Sequence, residues 1–111
     1  MQEIELYENE QILQSYKGMY WEKSFMFLYE QNVGEIIITN MRIIFISKVF
    51  SKQLTLLNLN ISDIQNIQKC GVGEVIPLNP TGIKITMKDS TIYKISSYHR
   101  NKIMETISNM I

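Results

Sequence analysis

The chain has no alanine, one cysteine, one histidine, one tryptophan and two prolines, and its longest apolar run is the five residues from Phe25 to Tyr29. Each shortage closes off a class of protein. A helix that spans a bilayer needs about 18 or more consecutive apolar residues, and no stretch approaches that. The opening MQEIELYENE is acidic where a secretory signal has a basic start, so the expectation is a soluble cytoplasmic chain. With Cys70 alone, no internal disulfide and no thiolate zinc cluster can form. A nucleophile and base could be drawn only from Cys70 with His99 or from a serine with His99, and no spacing brings either pair together. One His, one Cys and scattered Glu residues give no metal-ligand cluster. The chain is therefore expected to be no enzyme and to need no cofactor and no metal.

Neither charge sign is in excess, since eleven Lys and Arg balance eleven Asp and Glu. The balance hides a division. Residues 1–35 hold seven Glu against Lys17 and Lys23, and residues 36–111 hold seven Lys and two Arg against Asp63, Glu74, Asp89 and Glu105. The plain expectation is that the acidic opening folds onto the basic remainder and most of the field cancels. Without a net basic excess, and with no aromatics interleaved with Arg, nucleic acid is not an expected partner.

What the sequence does have is β-branched bulk: nineteen Ile, six Thr and four Val. Such side chains suit a pleated surface, whereas the missing alanine is the best helix former. One domain over residues 1–111 is expected at this length. Ile12 to Trp21 reads as a first strand and FMFLY, Phe25 to Tyr29, as a second, buried one, with EQNVG supplying Asn32 and Gly34 as turn formers. Gly34 to Ser47 reads as a tight hairpin broken at Thr39 and Asn40, since Asn tolerates positive φ. Leu54 to Asn60 gives a strand with Leu57, Leu59 and Ile61 on one face. SDIQNIQK fits both a capping box and a bulged strand. Cys70 to Gly82, with both prolines and three glycines, reads as a loop, and it lacks the Lys and Ser or Thr of a phosphate loop.

Ile83, Ile85 and Met87 alternate with Lys84, Thr86 and Lys88, Asp89 and Ser90 turn the chain, and Thr91 to Ser96 returns. After Tyr98 the period changes. Ile103, Met104, Ile107, Met110 and Ile111 give a helix stripe with Ser96 or Ser97 as N-cap, and His99 falls on the polar face. The aromatics Tyr16, Tyr20, Trp21, Phe25, Phe27 and Tyr29 are bunched in one hairpin, the pattern of cross-strand packing. The fold class is therefore mainly β with one C-terminal α-helix.

Taken in order, GEIIITNMRIIFISK, LNLNISDIQNIQK and TGIKITMKDSTIYKISSYHRNKIMETI resemble the GRAM domain and related bacterial members of the pleckstrin-homology-like superfamily. The matching positions are Gly34, Ile38, Thr39, Asn40, Arg42 to Phe45, Asp63, Ile64, Ile67 and Arg100. The resemblance implies a bent antiparallel sandwich or partly open barrel of seven strands capped by the helix, and it turns SDIQNIQK into a corner followed by a strand. Thr39, Asn40 and Asp63 then serve as turn chemistry, Asp63 by accepting from nearby amides. Arg42 is expected to bind carbonyl groups or a carboxylate such as Glu35.

In such a fold KGMYWEK (Lys17, Tyr20, Trp21, Lys23) and KVFSK (Lys48, Phe50, Lys52) would form loops at the open end. Both place apolar residues between lysines, the composition of a loop that meets anionic lipid. The resemblance also implies a non-catalytic module. The leading expectation is protein interaction or self-association through sheet edge and helix surface, and the alternative is weak attachment to anionic lipid at the inner membrane surface.

Overall fold

The computed structural model describes residues 4–26 and 28–111, with Phe25 described through its backbone. The strands are β1 (Ile12–Phe25), β2 (Leu28–Thr39), β3 (Arg42–Val49), β4 (Lys52–Asn60), β5 (Ile64–Val72), β6 (Asn79–Met87) and β7 (Ile92–Ser96). A 3₁₀ turn at Ile61–Asp63 links β4 to β5, and helix α1 (Arg100–Ser108) ends the chain. All pairings are antiparallel. The order β4-β3-β2-β1-β7-β6-β5 leaves β4 and β5 as unpaired edges, so the sheet bends without closing into a barrel. This is the pleckstrin-homology-like architecture expected, with the corner and strand in place of a second helix.

Alternation builds the core. Ile36, Ile38, Ile43, Phe45, Ile83, Ile85 and Ile95 point to one interior, and Ile103 and Ile107 of α1 cover it. Ile37, Ile44 and Ile46 point the other way and pack with Ile4 and Ile12 in a second, smaller cluster. Residues 36–39 of β2 and 42–47 of β3 are thus buried on both faces, as an uninterrupted Ile run requires.

Several expectations are corrected. FMFLY is not a buried strand: Met26 sits at the β1–β2 turn with φ 52°, and Leu28 and Tyr29 begin β2. The placing of Phe27 and of the Phe25 side chain in the aromatic cluster lies outside the described residues. EQNVG is no turn either, because β1 and β2 stay paired straight through Asn32 and Gly34. Gly34 is required for a different reason. A Cβ there would stand 2.1 Å from the Ile46 carbonyl oxygen, so only glycine lets β3 approach. The loop between Cys70 and Gly82 shrinks to residues 73–78, since β5 and β6 extend into both ends; Pro80 is tolerated beside the register shift between Cys70 and Val72. The helix N-cap is His99, with no side-chain cap. Ser96 lies in β7, and Ser97 accepts from the His99 amide at 3.1 Å.

The N-terminal segment is fastened by one ion pair. Arg42 donates from Nε and Nη2 to both oxygens of Glu10 at 2.8 Å, and Nη2 also reaches the Glu5 carbonyl at 3.0 Å. Glu10, not Glu35, is the carboxylate. Thr39 donates to Glu10 at 2.6 Å and accepts from the Met41 and Arg42 amides. Asn40 has no positive φ; its side chain accepts from Gln11 N and donates to Asn9 O, and Asn9 takes the left-handed conformation. Among the described residues this is the one ion pair, so the acidic opening meets the basic remainder at a single buried point.

Hydrogen bonds from Arg42 hold the Glu10 carboxyl at about 2 against an ordinary 4.5, with burial opposing and Thr39 and the Tyr7 amide assisting. A carboxylate lowered on folding stabilises fully above its unfolded value and loses that contribution as pH falls towards the folded one. Wild-type stability, followed by urea unfolding, is expected to decline between about pH 4.5 and 2, and Glu10→Gln to flatten that decline. Arg42→Ala strands a buried carboxylate and is expected to cost about 3–5 kcal/mol at neutral pH. A wild-type unfolding midpoint in Arg42→Ala would contradict this role for the pair.

Candidate functional site

β1 is shared by both halves of the sheet, pairing with β2 along its length and with β7 at Met19 to Trp21. Its inward positions, Tyr16 and Tyr20, join the main core. With a period of two, Lys17, Met19, Trp21 and Lys23 take the opposite face. There the loop at 73–78 folds back towards the β1–β2 turn, held by the Tyr29 amide donating to the Glu74 carbonyl at 2.9 Å. The space left between turn and loop is a cavity of about 300 Å³, walled by Trp21, Tyr29, Val72 and Pro77, with Lys23 and Lys94 at its border.

Trp21 is 6% exposed and donates from Nε1 to the Ser96 hydroxyl at 2.8 Å, which fixes its ring as a wall. Lys94 places Nζ 4.7 Å from the centre of the Tyr29 ring. Lys84 pairs directly with Lys94 across β6 and β7, and Lys94 in turn pairs with Trp21. A neighbouring depression shares Trp21, Lys23, Tyr29 and Lys94 with the cavity and adds Lys84, with Glu22 as its one acid. Three lysines therefore border one surface, and among the described residues none of them is in an ion pair. Like charges directly opposite in a sheet are destabilising, and the Lys94 contact with the Tyr29 ring offsets that repulsion only in part.

The field of these lysines reaches Cys70. Burial pushes its thiol up, against the opposing pull of Lys94, Lys84 and Arg100. A thiol raised in this way stays protonated and is a poor nucleophile. His99 stacks on Tyr16 with ring centres 4.3 Å apart and is exposed at the start of α1.

KGMYWEK is not a loop but the middle of β1, because β1 runs on to Phe25. Tyr20 and Trp21 are accordingly buried, and Lys17 lies away from Lys23, in a separate groove that also holds Lys48. KVFSK is a tip as expected: Phe50 and Ser51 make the β3–β4 turn, with Lys48 and Lys52 on its flanks. Thr39, Asn40 and Arg42 are absorbed by the N-terminal fastening, and Gly34 by the close approach of β3. Asp63 is met by the Asn60 amide group at 3.5 Å, and its own carbonyl accepts from Lys88 N, so its carboxylate binds a side chain where backbone amides were expected.

Lys84, Lys94 and Tyr29 were not legible as a site in the sequence. The signal was present: a hairpin centred on Asp89 sets Lys84 against Lys94. What the sequence cannot supply is the path of the loop at 73–78, which brings Pro77 to the same cavity as Trp21.

The sequence model of the GRAM domain matches residues 1–111. No curated protein matches the chain. Among solved structures, the C-terminal domain of an unknown protein from Leishmania infantum is similar at a TM-score of 0.65 and 13% identity, covering 93% of this chain and 85% of that one. The Vps36 N-terminal PH domain is similar at 0.64 and 20% identity, covering 95% and 84%. The Slm1-PH domain solved in complex with inositol-4-phosphate is similar at 0.59 and 11% identity, covering 89% and 92%. At these identities the likeness is one of fold.

Proposed function

The chain belongs to the GRAM domain family, and from that premise we propose that it is a non-catalytic binding module whose cavity takes a phosphate-bearing anionic headgroup. The observation that carries this reading is the Lys84–Lys94 cross-strand pair, joined by Lys23 at the border of the Trp21 and Tyr29 walls with no ion pair to a carboxylate among the described residues. An anion there would relieve a repulsion the fold leaves in place. The cavity of about 300 Å³ suits a small headgroup and not a protein segment with bulky side chains. The similar Slm1-PH domain has been solved with phosphoserine and with inositol-4-phosphate, which supports the same class of ligand.

Three lysines near an anionic surface contribute only about 1 kcal/mol each. Attachment by charge alone would be weak and lost in salt, so the affinity of this site rests on hydrogen bonds and ring contacts inside the cavity. Peripheral attachment at a cytoplasmic membrane face is the location this reading supports. No described helix is long and apolar enough to cross a membrane.

A second reading, interaction with a protein or with another copy, is favoured by exposed Val33 and Tyr98, which border one groove on the outer face. Light scattering at rising concentration checks it: a constant monomer mass would remove the self-association form.

Trp21 is the chain's single tryptophan and a wall of the cavity, so its emission reports occupancy. Inositol-4-phosphate is expected to shift that emission saturably, and Lys94→Ala to weaken binding about tenfold, the loss of one charge-assisted contact. Lys84→Thr is expected to weaken binding as well, yet to raise folding stability by about 0.2–1 kcal/mol by ending the repulsion. Unchanged wild-type emission with inositol-4-phosphate, or a Lys84→Thr variant that binds as the wild type does, would count against the site.

A further inference from the structure

We propose that the chain forms a two-fold dimer in which the β5–β6 loop of each copy seats Ile76 and Leu78 in the outer-face groove of the other. The proposal rests on the second reading above, association with another copy, and names the surface that carries it. It does not depend on the headgroup cavity.

The loop is a preformed finger. Residues 74–80 are exposed without interruption, yet the segment is held at several points. The Tyr29 amide donates to the Glu74 carbonyl and the Leu78 amide to the Ile76 carbonyl, each at 2.9 Å. Gly73 lacks the Cβ that would collide with the Ile76 carbonyl, so the loop curls tightly onto the end of β5. Val75 and Pro77 border the headgroup cavity, whereas Ile76 and Leu78 are left to solvent, 64% and 79% exposed. Two aliphatic side chains on a fixed loop are presented at little further cost in ordering.

The groove begins where the finger ends, since Asn79 of β6 forms part of its wall. Its volume is about 440 Å³, and Met19, Val33 and Tyr98 supply its apolar surface. The finger does not fill the groove of its own chain, where Val33 and Tyr98 stay 63% and 93% exposed. Finger and groove are thus two adjoining apolar surfaces that the fold leaves uncovered, the mark of a contact surface.

Charge and symmetry select a second copy as the occupant. Lys17 and Lys48 border the groove against one acid, Glu35, which stands opposite Lys17 across β1 and β2 without an ion pair to it. Between Lys69 and Lys84 the only charged residue is Glu74. A finger with a negative base therefore meets a groove with an excess of positive charge. Because the two surfaces adjoin at Leu78 and Asn79, one two-fold axis brings each finger to the other groove, and association closes at two copies.

The test follows mass by sedimentation velocity over rising concentration. It compares the wild type, a finger variant carrying Ile76→Ser and Leu78→Ser, a groove variant carrying Val33→Glu, and an equimolar mixture of the two variants. The wild type is expected to reach a dimer mass, and each variant alone to dimerise about tenfold or more weakly. The mixture is expected to recover dimer, because the intact finger of the groove variant still enters the intact groove of the finger variant. Inositol-4-phosphate titration through Trp21 emission and the unfolding midpoint should be unchanged in both. Should Val33→Glu lower the midpoint, Tyr98→Ala, at a nearly fully exposed side chain, replaces it as the groove variant. A wild type that stays monomeric would overturn the proposal and the self-association reading together. A wild-type dimer that both variants retain, or a mixture that remains monomeric, would overturn finger and groove alone and assign association to another surface.

Discussion

The constraint on which the rest of the structure depends is the two-residue period of β1, a strand shared by both halves of the sheet. Because it pairs with β2 on one side and β7 on the other, every side chain it carries is assigned to one of two faces at once. Tyr16 and Tyr20 are sent to the interior that α1 covers. Trp21 and Lys23 are sent outward, where Trp21 is fixed by Ser96 and lines a cavity with the loop at 73–78. A shift of one residue would exchange the two sets. The core and the cavity are thus two consequences of one register.

Charge is used in two opposed ways. Glu10 and Arg42 are buried together, with every polar atom of the pair drawn into hydrogen bonds, and they fasten the N-terminal segment over the second apolar cluster. Lys84 and Lys94 are placed face to face with no such partner among the described residues. The first arrangement is complete within the chain. The second has no counter-charge within the described residues, and under the proposed function an anion supplies it. Backbone conformation differs between turns as well: Asn9 takes a left-handed conformation that suits asparagine, whereas Phe50 takes one that does not suit phenylalanine.

Much of the fold was legible in the sequence. The alternation of Ile83, Ile85 and Met87 with Lys84 and Lys88, the break at Thr39 and Asn40, and the change of period after Tyr98 each correspond to an element of the structure. The errors have a common source. Gly34 and Asn32 look like turn formers, and glycine is indeed a turn residue when the backbone needs positive φ; here it serves the other use, leaving room for the Ile46 carbonyl. Met26, which carries no turn signal, makes the actual turn. Arg42 does lie beside a turn and a carboxylate, but the choice of Glu10 over Glu35 depends on where a segment more than thirty residues away returns.

The sequence by itself determined the mainly β class and the interior: short alternating runs fix which Ile residues face inward. Local periodicity is enough for this because burial is decided residue by residue along each strand. Only the tertiary structure decided the site. Lys23, Lys84 and Lys94 are three separate lysines in the sequence, and they border one surface when β1, β6 and β7 are set side by side. Sheet order and loop path are long-range properties, set by which apolar faces can be covered together, and no spacing along the chain encodes them.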